Sequence, residues 1–410
     1  MFDAIRRNLR SVGPGLVLAA AGIGAGDIVT ASLAGIKFGT ALIWAVVFTV
    51  ALKYVLTEAV ARWQVATGET LVYAWVSRLP RWVTVYFAAY LLLWTFLVGA
   101  SLSSACGLAG ASLFPGLSVP VWGGIHALAA AVLVAANRYE QFQRVTKVLV
   151  TVMAISVLVC AIVSAPPLPE IVKGLIIPSI PQAGGAAAVL SLLGGLGGSV
   201  TMACYGMWMR DAGWTGGDRL PTVRKDLGLA YAFTGVFGIA IMLIATGVHA
   251  QGAAGTQIAL ELATRLEAVG GTTLRWVFLV GFWATVFTAT LSVWHGVPKI
   301  YVELIRAWRR LPDDVPAPQD RAIYLVSLGY LAGPPVIMLW FKQPVVLVVA
   351  FAIAGAFFVP FLASTLLYLN NRRDLMREFK NGRWGNAALV LCLVVFLIVC
   401  GREVITTLSR

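Results

Sequence analysis

Apolar residues run along this chain in long blocks separated by short polar segments, without the period-two alternation of strands. A membrane-crossing helix needs about 20 mostly apolar residues. Eleven such blocks occur, near 12–35, 39–61, 82–110, 119–137, 145–165, 186–209, 227–250, 274–304, 322–341, 344–369 and 386–401. The missing alternation excludes a membrane barrel. The pattern predicts an all-α polytopic membrane protein with eleven transmembrane helices. The first block is too long for a cleaved signal peptide, and polar features interrupt its middle. Between the fifth and sixth blocks, Pro166, Pro167, Pro169, Pro178 and Pro181 predict a stiff, extended connection.

Composition agrees. Of 410 residues, 59% are hydrophobic and only 12% charged, with a mean hydropathy of +0.85. A soluble domain carries about 25% charged residues, so a cytosolic enzyme, a secreted domain and a disordered chain are all excluded. Five cysteines, without CxxC spacing, read as small buried hydrophobes. The net charge of +13 is a matter of topology. With the N-terminus, including Arg6, Arg7 and Arg10, placed in the cytoplasm, 23 Lys and Arg residues fall on the inner side and 7 on the outer, leaving Lys53 within a span. The positive-inside rule supports that map, which puts the C-terminus outside. Anionic lipid of the inner leaflet is the expected partner, and nucleic acid is not. Compact loops suit a cell membrane of the prokaryotic inner type, and a monomer is the simplest assembly.

Two blocks are interrupted at mid-depth. The first carries Gly22-Ile23-Gly24-Ala25-Gly26-Asp27, and the sixth carries Gly194-Gly195-Leu196-Gly197-Gly198-Ser199-Val200-Thr201. These are corresponding positions if spans 1–5 (about 12–165) and 6–10 (about 186–369) are inverted repeats, followed by an extra helix at about 386–401. One glycine break alone more often marks close helix packing. A matched pair, one with a carboxylate, points to a transport site between discontinuous helices 1 and 6. Unwound carbonyls there favour a cation.

Acids are scarce within the spans, and Asp27 is the most central of them. A charge at mid-membrane is costly and is a functional candidate by default, although Asp27 is also placed to cap the second half-helix. Glu58 and Lys53 do not share a helix face. Glu58 pairs naturally with Arg62 at i+4, which suits structure, gating or proton handling. Lys299 and Glu303 show the same spacing and predict a second i,i+4 pair. His295 is a candidate proton carrier.

The chain resembles the natural resistance-associated macrophage protein family of divalent metal transporters. The likeness is carried by Gly13-Pro14-Gly15, the break at Gly26, Ala61-Arg62 followed by Thr67-Gly68, the broken sixth span and the eleven-helix count. It implies a LeuT-like inverted 5+5 repeat, with metal held between helices 1 and 6. The metal motifs depart from the family's pattern. Its Asp-Pro-Gly-Asn is here Gly24-Ala25-Gly26-Asp27, and its Met-Pro-His is here Thr201-Met202-Ala203. The usual soft thioether ligand is thus Thr201, and the usual histidine is Ala203. What remains is an all-oxygen set of Asp27, the Thr201 hydroxyl and carbonyls near Gly24 and Gly198, with Met202 and Cys204 as further candidates. Such a set suits a hard cation.

The sequence therefore predicts a transporter, not an enzyme and without a cofactor. It would move a divalent cation, Mg²⁺ or Mn²⁺, by alternating access and without proton coupling. The alternative is a small organic solute, an amine or amino acid, whose ammonium group would meet Asp27.

Overall fold

A computed structural model describes residues 13–136, 139–182, 184–248, 258–311, 318–341 and 344–408. The basic cluster Arg6, Arg7 and Arg10 lies outside the described residues. The regular elements are helical throughout them. The protein is a polytopic bundle, and its first span is two helices, α1 (Pro14–Gly22) and α2 (Ala25–Phe38), bent by 56° across the break. Next come α3 (Ile43–Thr67), the short α4 (Leu71–Arg78), α5 (Arg81–Leu113), α6 (Val119–Ala135) and α7 (Tyr139–Ser164). Pro14, Gly68 and Pro80 punctuate these helices, at a first turn, a left-handed end cap and a start.

The second half opens with α8 (Leu168–Ile176). The prolines of 166–169 therefore start a short helix where an extended connection was expected, because proline fits a first helical turn as well as a linker. The sixth span is broken into α9 (Gly185–Gly195) and α10 (Thr201–Asp211), followed by α11 (Leu220–Ala245). The eighth expected span, 274–304, is part of a longer helical run, α12 (Ile258–Trp308), which turns at the left-handed Gly271. The ninth stops early. α13 (Pro318–Ala332) gives way at Gly333 to the single turn α14 (Pro334–Ile337), since two consecutive prolines cannot continue a helix. α15 (Pro344–Leu369), the single turn α16 (Arg373–Met376) and α17 (Arg383–Leu408) complete the chain.

The broken spans sit at the centre. α11 packs against α2 and α3, α10 against α1 and α3, α9 against α2 and α15, and α12 against α1, α5 and α7. Large apolar side chains such as Leu92, Leu128, Ile162 and Leu229 are exposed on the perimeter. An apolar exterior is what a chain solvated by lipid requires.

Candidate functional site

The two breaks rest directly on each other. A Cβ on Gly22 would stand 3.0 Å from the carbonyl carbon of Gly197, and one on Gly195 would stand 2.6 Å from Thr30 Cγ2. Gly197 and Gly198 have φ of 75° and 81°, a left-handed region that costs other residues about 1–2 kcal/mol. Glycine is required here by contact and by conformation together.

Asp27 joins the breaks. It is the third residue of α2, and one carboxylate oxygen accepts the Gly24 N–H at 2.8 Å, closing the first turn. The other accepts the Gly197 N–H at 2.7 Å. The negative charge also complements the positive end of the helix dipole. From the far side, Lys53 on α3 donates through Nζ to the carbonyls of Leu196 and Gly198. The segment 196–198 thus lies between a carboxylate that takes its N–H and an ammonium that takes its carbonyls. Both side chains are 2% exposed, and their charges interact across the loop.

A cavity of about 20 Å³ opens where the breaks meet, lined by residues that include Gly24, Asp27, Gly198, Thr201, Trp94 and Phe351. That is room for about one water-sized particle. The Thr201 hydroxyl is buried there without a hydrogen-bond partner. It stands over Gly198, where a Cβ would come within 2.4 Å of its oxygen. On one wall, Trp94 Nε1 donates to Ser199 Oγ at 3.0 Å.

Asp27, Gly24, Gly198 and Thr201 therefore share one cavity. The remaining candidates do not line it. Met202 is fully buried nearby, and the Cys204 sulfur faces Gly296 of α12, where a Cβ would approach it to 3.0 Å. Glu58 bridges Arg62 at 3.2 Å and Arg224 at 2.8 Å, which ties α3 to α11. His295 accepts from Trp208 Nε1 at 3.2 Å on the side of α12 that meets α10. The expected Lys299–Glu303 pair does not form. Glu303 binds Arg210 at 2.9 Å and accepts from Thr70, while Lys299 binds Asp211. Lysine preceding glutamate is the weaker order for an i,i+4 pair, and the end of α10 offers each charge a better partner.

The sequence places Lys53 within a span, off the helix face of Glu58, and carries no signal of its contact with the break. Its acceptors are backbone oxygens more than 140 residues away in sequence, and backbone carries no residue signature. The wall residues Trp94 and Phe351 were not anticipated either. Among the described residues, no group of three or more His, Cys, Asp and Glu converges. The site is therefore poor in ligating side chains.

Residues 15–406 match the natural resistance-associated macrophage protein-like family. The divalent metal cation transporter MntH of Klebsiella pneumoniae is 25% identical over 95% of this chain and 92% of its own length. Metal transporter Nramp5 of rice is 26% identical over 47% of this chain, and the match spans only 36% of that relative. A variant of the manganese transporter of Eremococcus coleocola superposes over 95% of this chain and 85% of its own with a TM-score of 0.78 at 18% identity, which shows a shared fold.

Proposed function

The chain belongs to the natural resistance-associated macrophage protein-like family, and on that premise we propose that it carries a divalent cation across the membrane by alternating access, with Mg²⁺ or Mn²⁺ as cargo. The observation that carries this reading is the cavity of about 20 Å³ between the breaks, lined by Asp27 and by Thr201, whose buried hydroxyl has no partner. A buried hydroxyl without a partner costs about 1–3 kcal/mol, which a cation ligated there would offset. The donors are oxygens, the set that hard cations prefer over soft ones. A space for one water-sized particle also disfavours an amine or amino acid as cargo.

On this reading the two halves, about 12–165 and 186–369, rock about the crossed breaks. Ala203 occupies the position of the family's histidine, and His295 lies off the cavity, so proton coupling through an imidazole has no support. The N-terminus is assigned to the cytoplasm by charge. A separate cavity of about 570 Å³, lined by Arg81, Arg310, Tyr73 and Trp308 among others, suits an anionic lipid headgroup at the basic face.

Uptake of Mn²⁺ and Mg²⁺ into proteoliposomes tests the function. Wild type should load one of them and Asp27→Asn neither. A folded wild type that moves no divalent cation refutes the assignment. An internal pH dye should stay constant during loading, and metal-driven acidification would contradict uncoupled transport.

A further inference from the structure

The charge balance of the site raises a difficulty for a cationic cargo. Asp27 contributes one negative charge and Lys53 one positive charge, so the breaks are formally neutral. The Gly198 carbonyl, the candidate backbone ligand from the sixth-span break, already accepts from Lys53 Nζ. A second acceptor, the Leu196 carbonyl, holds the same nitrogen. These two oxygens, on alternate residues, converge because Gly197 and Gly198 are both left-handed, turning the Leu196 and Gly198 carbonyls toward α3. Beside them the lysine stem is packed on Gly197. A Cβ at that glycine would meet Lys53 Cδ and Thr234 Cγ2 at 3.4 Å and Tyr231 Cε1 at 3.6 Å. Tyr231 is itself fixed by Thr57, one turn beyond Lys53, at 2.6 Å between the two hydroxyl oxygens.

Carbonyls turned toward one point by a left-handed loop, across that loop from a carboxylate and sealed from water, make a seat for a small monovalent cation. We propose that the Lys53 ammonium is a tethered cation that fills this seat, and that a cargo cation reaches the Gly198 carbonyl only by displacing it. The first half of this inference stands on the Lys53 geometry alone, and the second half rests on the function proposed above. It gives the carrier a way to satisfy its break carbonyls with no ion bound, so the cargo-free protein stays closed without a free counter-ion. It also makes Lys53 a specificity residue. A weakly bound cation cannot evict an ammonium held by two carbonyls and an opposite charge.

The test uses the full chain in detergent. Lys53→Ala removes the tethered cation and leaves its seat. Thermal melting is followed while methylammonium, Na⁺ or K⁺ is raised from the millimolar range to a few hundred millimolar, with choline as a control too large to enter. Lys53→Ala should melt below wild type and recover by several degrees with a small cation but not with choline, while wild type does not respond. No recovery, or an equal response in wild type, overturns the proposal. So does a Lys53→Ala protein that cannot be obtained folded in any of these cations. A lysine that only packs would give that result.

The second arm is Lys53→Gln, whose amide can still donate to the carbonyls but carries no charge. Its Mn²⁺ affinity should exceed that of wild type by roughly tenfold or more, because a like charge has left a low-dielectric site. Equal affinities would remove the competition between lysine and cargo. If neither protein binds Mn²⁺ or Mg²⁺ and the small-cation rescue still occurs, the tethered cation stands and the metal function falls.

Discussion

At Asp27 the carboxylate accepts two backbone N–H groups, one from each broken helix, so on the proposed function structure and cargo contact would be carried by the same atoms. Hydrogen bonds to a charged group contribute about 1.5–3 kcal/mol each. Asp27→Ala should therefore destabilise the protein by about 3 kcal/mol or more, with Asp27→Asn intermediate, as measured by melting in detergent. Thr201 separates the two roles. Its hydroxyl is buried and unpartnered, so the near-isosteric Thr201→Val should hold or raise stability, by up to about 1 kcal/mol. If the hydroxyl ligates cargo, the same substitution lowers the apparent affinity for transported metal by roughly tenfold, equivalent to about 1.4 kcal/mol. Unchanged uptake in Thr201→Val would remove the hydroxyl from the cargo site. Asp27 was legible in the sequence because an acid at mid-membrane is rare and expensive. Lys53 was equally rare, yet its role was not legible, because the groups that hold it are the carbonyls of an apolar leucine and a glycine. Glu303 misled for a related reason. Helical spacing offered it a partner that Arg210 at the end of α10 and the Thr70 hydroxyl, both distant in sequence, then outbid.

Between elements, the contact of α1–α2 with α9–α10 depends on missing side chains. Gly198→Ala places a Cβ 2.4 Å from the Thr201 oxygen at a backbone φ of 81°, so it should cost about 1–2 kcal/mol in strain and block the cavity. Metal uptake should fall to background while the protein still reconstitutes. Gly228→Ala in α11 is the matched control, since nothing lies within 4 Å of the added carbon. There, helix propensity predicts neutral or slightly higher stability, by up to about 1 kcal/mol, with normal uptake. Equal loss in both variants would mean that the breaks are no more sensitive than any other glycine. The paired breaks were visible in the sequence because glycine runs recur at matching depth in the first and sixth spans. The turn at Gly271 and the helix beginning at Leu168 were not. One sits in the polar stretch between the blocks 227–250 and 274–304, which reads as a loop, and the other uses prolines that serve a linker and a helix start equally well.

Across the whole molecule, the basic face is latched by contacts between elements that the proposed alternating access would separate. Asp226 of α11 accepts the Gly15 N–H at the start of α1 at 2.6 Å and the Tyr205 hydroxyl of α10 at 2.9 Å. Glu58 ties α3 to Arg224 of α11, and Arg62 reaches the carbonyl of Phe379. Hydropathy and charge had already given the bundle and its basic side, because both depend on summed composition. The latch depends on which side chains meet after folding, and no spacing rule reports that. Its strength can be bounded. Arg224 is half exposed, so the Glu58 bridge is discounted for solvent to about 1 kcal/mol, or roughly a fivefold shift in an opening equilibrium. Glu58→Gln should therefore raise amide hydrogen exchange in residues 14–22 and 201–211 by about that factor, and leave exchange in α6 and α7, which Glu58 does not touch, unchanged. High salt should reproduce part of the effect in wild type, since a half-exposed pair is screened. If exchange rises equally in α6 and α7, the substitution has loosened the fold as a whole. If it rises nowhere, the basic face is held shut by the apolar packing of α1 and α10 against α12, and Glu58 only decorates it.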